Sequence, residues 1–526
     1  MMKYPIGVQS FEVLREEGFV YVDKTDLVYR LAQQHICFLC RPRRFGKSLT
    51  VSTLEAYFCG KKALFEGLKI AELESEWKEH PVLHIDFNGE VYQQEGALER
   101  KLRAYVSRWE QEYVITSTSD IGVGERFAEV VRQANKQSGQ RVVVLVDEYD
   151  KPMLDVIGTP LEEVNREILR GFYSVFKLVD AHLRFVLLTG VTKFSQVSVF
   201  SGFNQPYDIS MSADYEALCG ITELELHTVL SESVAMLATK MDCSVDDAYR
   251  MLKKMYDGYH FGPNKTDVYN PFSLICAINE GNIRGFWFRT GTPSYLVRLL
   301  ADSNVDMEQL LNGVYPDDYF VDYRANTQDP LAMLYQSGYL TIKDILRQED
   351  GSFLYRLDYP NIEVKRGFVT MLCNNYFASR EDAGSVVQKM VRCLIEHRLD
   401  DLRVLMDRYL TSIDYEMRKD KEYHFQYTLY LIFSLMSSFG VSVERHTSQG
   451  RSDLIVETSK YVYIFEFKLD GTAEVALKQI EDKQYAKSYL TDFRPVTKIG
   501  VSFGRKSGTI DEWMVESEKQ EPRLPG

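Results

Sequence analysis

The chain has 526 residues, 45% of them apolar and 13% aromatic, enough to bury several cores in two to four domains and too many for a disordered chain. Its net charge of -14, from 62 Lys+Arg against 76 Asp+Glu, excludes a polycation, so any nucleic acid would have to meet a local basic surface. Eight scattered cysteines make no disulfide framework, the start MMKYPIGVQSFEVL lacks the basic-then-apolar order of a signal peptide, and no apolar run approaches the ~18 residues that span a bilayer, so a soluble, cytoplasmic protein with no membrane partner is expected.

In chain order, the first half alternates short apolar segments with polar helical ones. ICFLC (36–40), VLHIDF (82–87), RVVVLVD (141–147) and RFVLLTG (184–190) read as strands, with stretches such as LEEVNREILRGFYSVFKLV as helices between them. That alternation predicts an α/β fold with a parallel sheet covered on both faces. Cys37 and Cys40 form a CxxC inside an apolar run with no second pair, which reads as two small buried residues. From about 223 to 420 helical patterns dominate, interrupted by the turn-rich YDGYHFGPNKTDVYNP and RTGTPS. The last hundred residues return to strands, VSVERHT, SDLIVET and YVYIFEFKL, then the helical AEVALKQIEDKQYAKSYL and a final strand KIGVSFG. The expected domains are 1–222, 223–375 and 376–526.

Two constellations carry chemistry. FLCRPRRFGKSLTVS, residues 38–52, ends in Gly46-Lys47-Ser48 between a strand and a helix. A phosphate-binding loop needs that context: backbone N–H groups surround the phosphates, the lysine reaches their outer oxygens, the hydroxyl ligates magnesium, and the helix offers its positive end. The glycine that would open the loop is Arg41, which removes a residue suited to positive φ, while Arg43 and Arg44 add positive charge near the phosphates. A later strand, VVVLVDEYD, ends in Asp147 with Glu148 beside it. In P-loop ATPases the first such acid holds the magnesium shell and the second polarises the attacking water. Together the two motifs point to ATP with Mg2+.

The second constellation is C-terminal. Asp453 opens one apolar strand, and Glu466-Phe467-Lys468 ends the next, where alternation places Glu466 and Lys468 on one face. Phosphodiester hydrolysis needs this grouping: carboxylates to bind one or two divalent cations, Mg2+ or Mn2+, and a lysine to orient or deprotonate water and stabilise the developing charge. Alone, the short pattern D-x12-E-x-K reads rather as a surface salt bridge. Arg445, Arg451, Lys468, Lys478, Lys483, Arg505 and Lys506 cluster around it and could line a phosphate-backbone groove, with as many acids nearby. The 33 Tyr and 29 Phe fall mostly on apolar periods or in turns and read as packing.

RPRRFGKSL, VDEYDKP, LLTGVTKFSQVSVFSGFNQ, YEALCGIT, MYDGYHFG with VYNPFS, LYQSGYLTI, and GRSDLIVET with YIFEFKLD resemble the bacterial AAA-ATPase-like family whose C-terminus is a PD-(D/E)xK nuclease-superfamily domain. The resemblance runs nearly end to end. It implies that Arg41 is normal in this loop, that Thr189 sits where related ATPases place a polar γ-phosphate sensor, and that Lys193 is a weaker candidate of that kind. It also implies a winged-helix-like element at DPLAMLYQSGYLTIKD. Gln479, at the start of the helix after the second site, and Glu422, in the helix before it, would be its polar neighbours, with Lys483 and Tyr485 following. Two functions follow: an ATP-powered, metal-dependent nuclease acting on DNA or RNA, or an ATP-gated switch or scaffold whose nuclease-like domain only binds nucleic acid or protein. A homo-oligomer would require an arginine, Arg43, Arg44 or one of the helical middle, to act on a neighbour's ATP.

Overall fold

The computed structural model describes residues 2–116, 121–193, 206–288, 307–321, 330–376, 382–411, 421–448, 451–489, 492–504 and 509–518. The chain divides into two units, Met1–Val364 and Lys365–Gly526, and residues 223–364 belong to the first.

In the first unit β1 (Ile36–Cys40), β2 (Val82–Asp86), β3 (Val142–Asp147), β4 (Leu183–Gly190) and the short β5 (Tyr207–Asp208) form a wholly parallel sheet in the order β2–β3–β4–β1–β5. Every residue of β1 and β3 is buried. Successive side chains point to opposite faces, so both faces are covered there, which is why these strands read as unbroken apolar runs. The helices Lys47–Phe58, Ala97–Glu112, Val123–Ser138 and Leu161–Leu178 lie between the strands in sequence. β4 separates the strand that feeds residues 41–46 from the strand that ends in Asp147. Both strand ends therefore open on the same edge of the sheet, where open α/β sheets bind ligands.

Beyond the sheet, β6 (Ile221–Thr222) and β7 (Val268–Tyr269) pair antiparallel. The helices Ser231–Lys240, Val245–Tyr256 and Pro271–Glu280 pack around Val234, Leu237, Leu252, Tyr256 and Leu274. β8 (Tyr315–Pro316), β9 (Thr341–Arg347) and β10 (Phe353–Asp358) make an antiparallel sheet in the order β8–β10–β9, with the helix Leu331–Gln336 leading into β9 through Gly338 at φ 85°. The helix, turn and strand expected at DPLAMLYQSGYLTIKD are thus present. The YDGYHF segment is a packing device: a Cβ on Gly258 would lie 2.4 Å from the Pro360 carbonyl oxygen. His260 bonds to the Ile342 carbonyl of β9 at 2.6 Å and to Asp267, just before β7, at 2.7 Å.

The second unit is a mixed sheet of β11 (Ser442–Ser448), β12 (Arg451–Glu457), β13 (Val462–Leu469), β14 (Val496–Phe503) and β15 (Ile510–Glu518), in that order, antiparallel except for β13 beside β14. The helix Ala473–Asp482 covers β13 and β14 through Leu477 and Ile480, against Ile464 and Val496. Gly500 permits that approach, since a Cβ there would lie 2.3 Å from the Ala473 carbonyl oxygen. The sequence reading missed β15. Its stretch IDEWMVESE is largely exposed and acid-rich, so it lacks the alternation that marks a half-buried strand.

Candidate functional sites

Cys40 ends β1 and the chain turns into the helix Lys47–Phe58 over six residues. The positive-φ positions in this turn are Arg44 (69°) and Gly46 (94°), not Arg41, so the loss of a glycine at position 41 costs the loop nothing in backbone freedom. Nothing lies within 4 Å of a Cβ built on Gly46, so glycine is required there by its φ alone. Lys47 opens the helix, and its Nζ donates to the carbonyls of Arg41 at 2.9 Å and Pro42 at 3.1 Å. Arg43, Arg44, Gly46, Lys47 and Ser48 line a cleft of about 470 Å³ with Glu148.

Of the two acids at the end of β3, Glu148 lines this cleft and Asp147, expected there as a magnesium ligand, is buried behind its wall. Asp147 is 4% exposed, and its Oδ1 accepts from the Thr189 hydroxyl at 2.5 Å and from the Glu148 backbone N–H at 3.1 Å. Glu148 has φ 52°, an unusual conformation for a non-glycine residue at a point where the chain must swing an acid outward. Burial pushes its carboxyl above the ordinary range, against the lowering effect of Lys47, with Asp150 and Asp147 raising it further and Arg43 lowering it. A raised carboxyl facing a phosphate cleft suits a general base. The remaining residues of VDEYD are structural. Asp150 Oδ2 accepts from the Val191 and Thr192 N–H groups and the Thr192 hydroxyl at 2.6–2.9 Å, and Tyr149 packs edge-on to Phe38.

In the second unit Asp453 and Glu466 stand directly opposite each other on β12 and β13. Residues so paired share a face; the Asp453 side chain lies outside the described residues. Glu466 is fully buried, and its Oε1 accepts from Lys468 Nζ at 2.6 Å. Lys468 Nζ also donates to Gln479 Oε1, and Glu466 Oε2 has no hydrogen-bond partner among the described residues. A buried carboxylate oxygen so placed fits a cation ligand, because an unsatisfied anionic oxygen in a dry site is costly. Gln479 is the seventh residue of Ala473–Asp482, not its first, and still faces the site. The side chains of Glu422, Arg445, Arg451, Tyr485, Arg505 and Lys506 lie outside the described residues.

Residues 5–200 match the family described as "Predicted AAA-ATPase", and residues 420–513 match the PD-(D/E)XK nuclease superfamily. A relative from Azotobacter chroococcum mcd 1, "Uncharacterized protein in vnfD 5'region", is 36% identical over 526 residues, covering 98% of this chain and 99% of its own. The chain belongs to this family of predicted AAA-ATPases with a C-terminal PD-(D/E)XK domain. Among solved structures it is similar to the Aeropyrum pernix ORC1 protein in complex with DNA (11% identity, 68% of this chain and 95% of that one, TM-score 0.23). It is likewise similar to Cdc6p from Pyrobaculum aerophilum (10%, 65% and 91%, TM-score 0.23). At those scores neither bears on fold or function. No helix among the described residues is long and apolar enough to cross a membrane.

Two further residues expected at the nucleotide do not line the cleft. Lys193 does not face the phosphate cleft: it is buried in an ion pair with Asp208, and its N–H donates to Gln336 at 2.8 Å. Thr189 does not line the cleft either, and its hydroxyl instead holds Asp147 from the neighbouring strand. The cleft also contains residues the sequence reading passed over. Asp86, the register partner of Asp147 at the end of β2, lines it with Asn88. Its signal was available, since VLHIDFN ends in a strand-end acid just as VVVLVDEYD does. Pro5, Ile6 and Val8 from the N-terminus meet Pro271, Phe272 and Ile275 as an apolar wall. No local pattern announces that wall, because its two halves are far apart in sequence.

Proposed function

We propose that this AAA-ATPase binds and hydrolyses ATP with magnesium, and that its C-terminal unit is a metal-dependent nuclease acting on DNA or RNA under control of the nucleotide. The observation that carries the first part is the convergence of Gly46, Lys47, Ser48 and Glu148 on one cleft of about 470 Å³, the size of a small-ligand site. Lys47 would neutralise the outer phosphate oxygens, while Ser48 and Asp147, the latter fixed by Thr189, would hold Mg2+. Glu148 would take the proton of the attacking water. Arg43 and Arg44 add charge at the mouth, and the apolar wall of Ile6, Val8, Phe272 and Ile275 suits the flat base of a nucleoside.

The second part rests on the buried Oε2 of Glu466, which has no hydrogen-bond partner among the described residues and stands on β13 opposite Asp453. These two acids would hold Mg2+ or Mn2+, which supplies charge neutralisation for a phosphodiester. Lys468, oriented by Gln479, would act on the water and on charge developing at phosphorus. The test is full-length protein with magnesium or manganese and plasmid DNA, single-stranded DNA or RNA, with and without ATP. Cleavage that depends on both metal and ATP supports the proposal. ATP turnover with no cleavage under any condition would replace it with an ATP-gated switch whose C-terminal unit only binds.

A further inference from the structure

A glycine-rich phosphate loop takes its tight path because glycines permit it. Residues 41–45, Arg-Pro-Arg-Arg-Phe, contain none, and most of them are gripped from elsewhere in the first unit. Arg41 is 1% exposed and crosses beneath the loop: Nη1 donates to the carbonyls of Cys40 at 2.9 Å and Ser210 at 2.6 Å, and Nη2 to that of Tyr215 at 3.1 Å. Its guanidinium lies 4.3 Å from the centre of the Phe261 ring. Pro42 abuts the turn after Leu331–Gln336, where a Cβ on Gly338 would come within 2.7 Å of its ring. The Arg43 carbonyl accepts from the buried Trp287 Nε1 at 3.0 Å. Phe45 packs edge-on against Tyr259 and Phe261, with ring centroids 4.7 and 5.3 Å apart.

Trp287 is anchored in turn. Its backbone N–H donates to Glu363 Oε1 at 2.8 Å, and the Phe286 N–H donates to the same oxygen. The loop is therefore held at the Arg43 carbonyl by the Trp287 indole, at Arg41 by the Ser210 and Tyr215 carbonyls and the Phe261 ring, and at its exit by Tyr259 and Phe261, all of them partners from residues 210–287. Glycines would let the loop take this path without strain; here the path is imposed by contacts from outside the loop.

We propose that Arg41 and Trp287 are positioning residues for the phosphate loop, and that residues 210–287 and 331–340 set its path, so that nucleotide binding and the ordering of those segments are coupled. The proposal rests on the nucleotide reading of the cleft. Coupling of this kind is reciprocal: what the segments do for ATP affinity, ATP does for their ordering. No side chain in the proposal touches the reacting atoms, so its signature is in binding.

The experiment uses the full-length protein and its Trp287→Phe and Arg41→Lys variants, with MgATP and MgADP titrations, steady-state kinetics, and amide hydrogen exchange. Trp287→Phe keeps the ring and loses one N–H, and Arg41→Lys keeps the charge with one donor nitrogen where two now act. Each should weaken both nucleotides about three- to tenfold, the scale of one hydrogen bond. KM should rise with kcat nearly unchanged, whereas partial unfolding would lower kcat and leave KM alone. In the wild type, MgATP should slow exchange at 255–261, 284–287 and 331–340. Wild-type protein that binds MgATP without slowing exchange in those segments overturns the coupling, even if the variants fail to fold. Unchanged affinity in both folded variants overturns the positioning roles. Wild-type protein that binds no MgATP at all overturns instead the nucleotide reading beneath the proposal.

Discussion

At the phosphate loop Arg43, Lys47 and Glu148 line an open cleft, and the groups behind them are fixed from far along the chain: Thr189 on Asp147, Trp287 on the Arg43 carbonyl, Phe261 on Arg41. At the C-terminal centre the charge is sealed in, with Glu466 fully buried, and its partners come from its own strand, the strand beside it and the next helix. The contrast fits two chemistries. A nucleotide must enter, be closed upon and leave, so its site tolerates exposure and relies on distant supports that can move with it. A hydrolytic metal centre gains from a dry, local scaffold that holds carboxylates together against their repulsion. It follows that perturbing the first site should change binding and turnover, whereas perturbing the second should also change stability.

The largest effect expected is at Glu148. If the acid that φ 52° swings into the cleft is the base, Glu148→Gln should retain ATP and lose turnover by roughly 10²- to 10⁴-fold. Steady-state hydrolysis beside ATP titration checks this, and turnover within a few fold of wild type would remove Glu148 from the mechanism.

The second unit should answer a substitution with a loss of fold as well as of chemistry. Lys468→Ala leaves the fully buried Glu466 without its cation, a change that costs about 3 kcal/mol for a broken buried pair. Thermal melts of the full chain should show that loss without metal and its recovery with manganese, while nucleic-acid cleavage stays abolished. Asp453→Asn should behave in the opposite sense: no loss without metal, and no manganese-dependent rise. A variant pair that melts alike under both conditions would mean that no cation joins these two acids.

How much of this was visible beforehand follows the same divide. The loop was legible because its parts are contiguous: Gly46-Lys47-Ser48 after an apolar strand, and Asp147-Glu148 after another, sit where the sequence places them. The strands β1, β3 and β4 were legible because burial on both faces leaves nearly unbroken apolar runs, and β2 because its burial alternates. The supports were not. That Lys193 turns to Asp208, that Arg41 is a strut and that Asp86 stands beside Asp147 depend on pairings across many residues, which periodicity does not encode. In the C-terminal unit alternation placed Glu466 and Lys468 on one face, and only the family resemblance turned that pair from a surface salt bridge into a candidate site. Their pairing with Asp453 needs the register of β12 on β13, and β15 was missed because its exposed edge carries too many acids to alternate.

A smaller effect belongs to the loop's entrance. Lys47→Ala should weaken ATP about ten- to hundredfold, the scale of a lost charge-assisted contact, and leave the melting of the second unit unchanged. Isothermal titration measures the first and a manganese melt the second. A simultaneous collapse of both units would show that the lysine is structural, through its bonds to the Arg41 and Pro42 carbonyls.

The smallest effect concerns the anchor behind Trp287. Burial raises the Glu363 carboxyl from its ordinary 4.5 to about 7, partly offset by the Ser273 hydroxyl and the Trp287 and Phe286 N–H groups. Its folded-state value lies above its unfolded one, so the folded state holds the proton more tightly. The stabilisation is full below about pH 4.5 and is lost as pH rises through 7. Asp257, raised by burial to about 6, acts in the same sense over a lower window. Glu363→Gln keeps an oxygen to accept from Phe286 and Trp287 and removes the titration. Relative to wild type, the variant should therefore be stabilised at pH 8 and gain less on acidification to pH 5. The difference should be on the order of 1–2 kcal/mol, below the full shift because buried acids relax and admit water. Urea midpoints at the two pH values read it directly. If the variant and the wild type share one pH slope, Glu363 is not the titrating group, and the anchor of Trp287 stays in one charge state throughout.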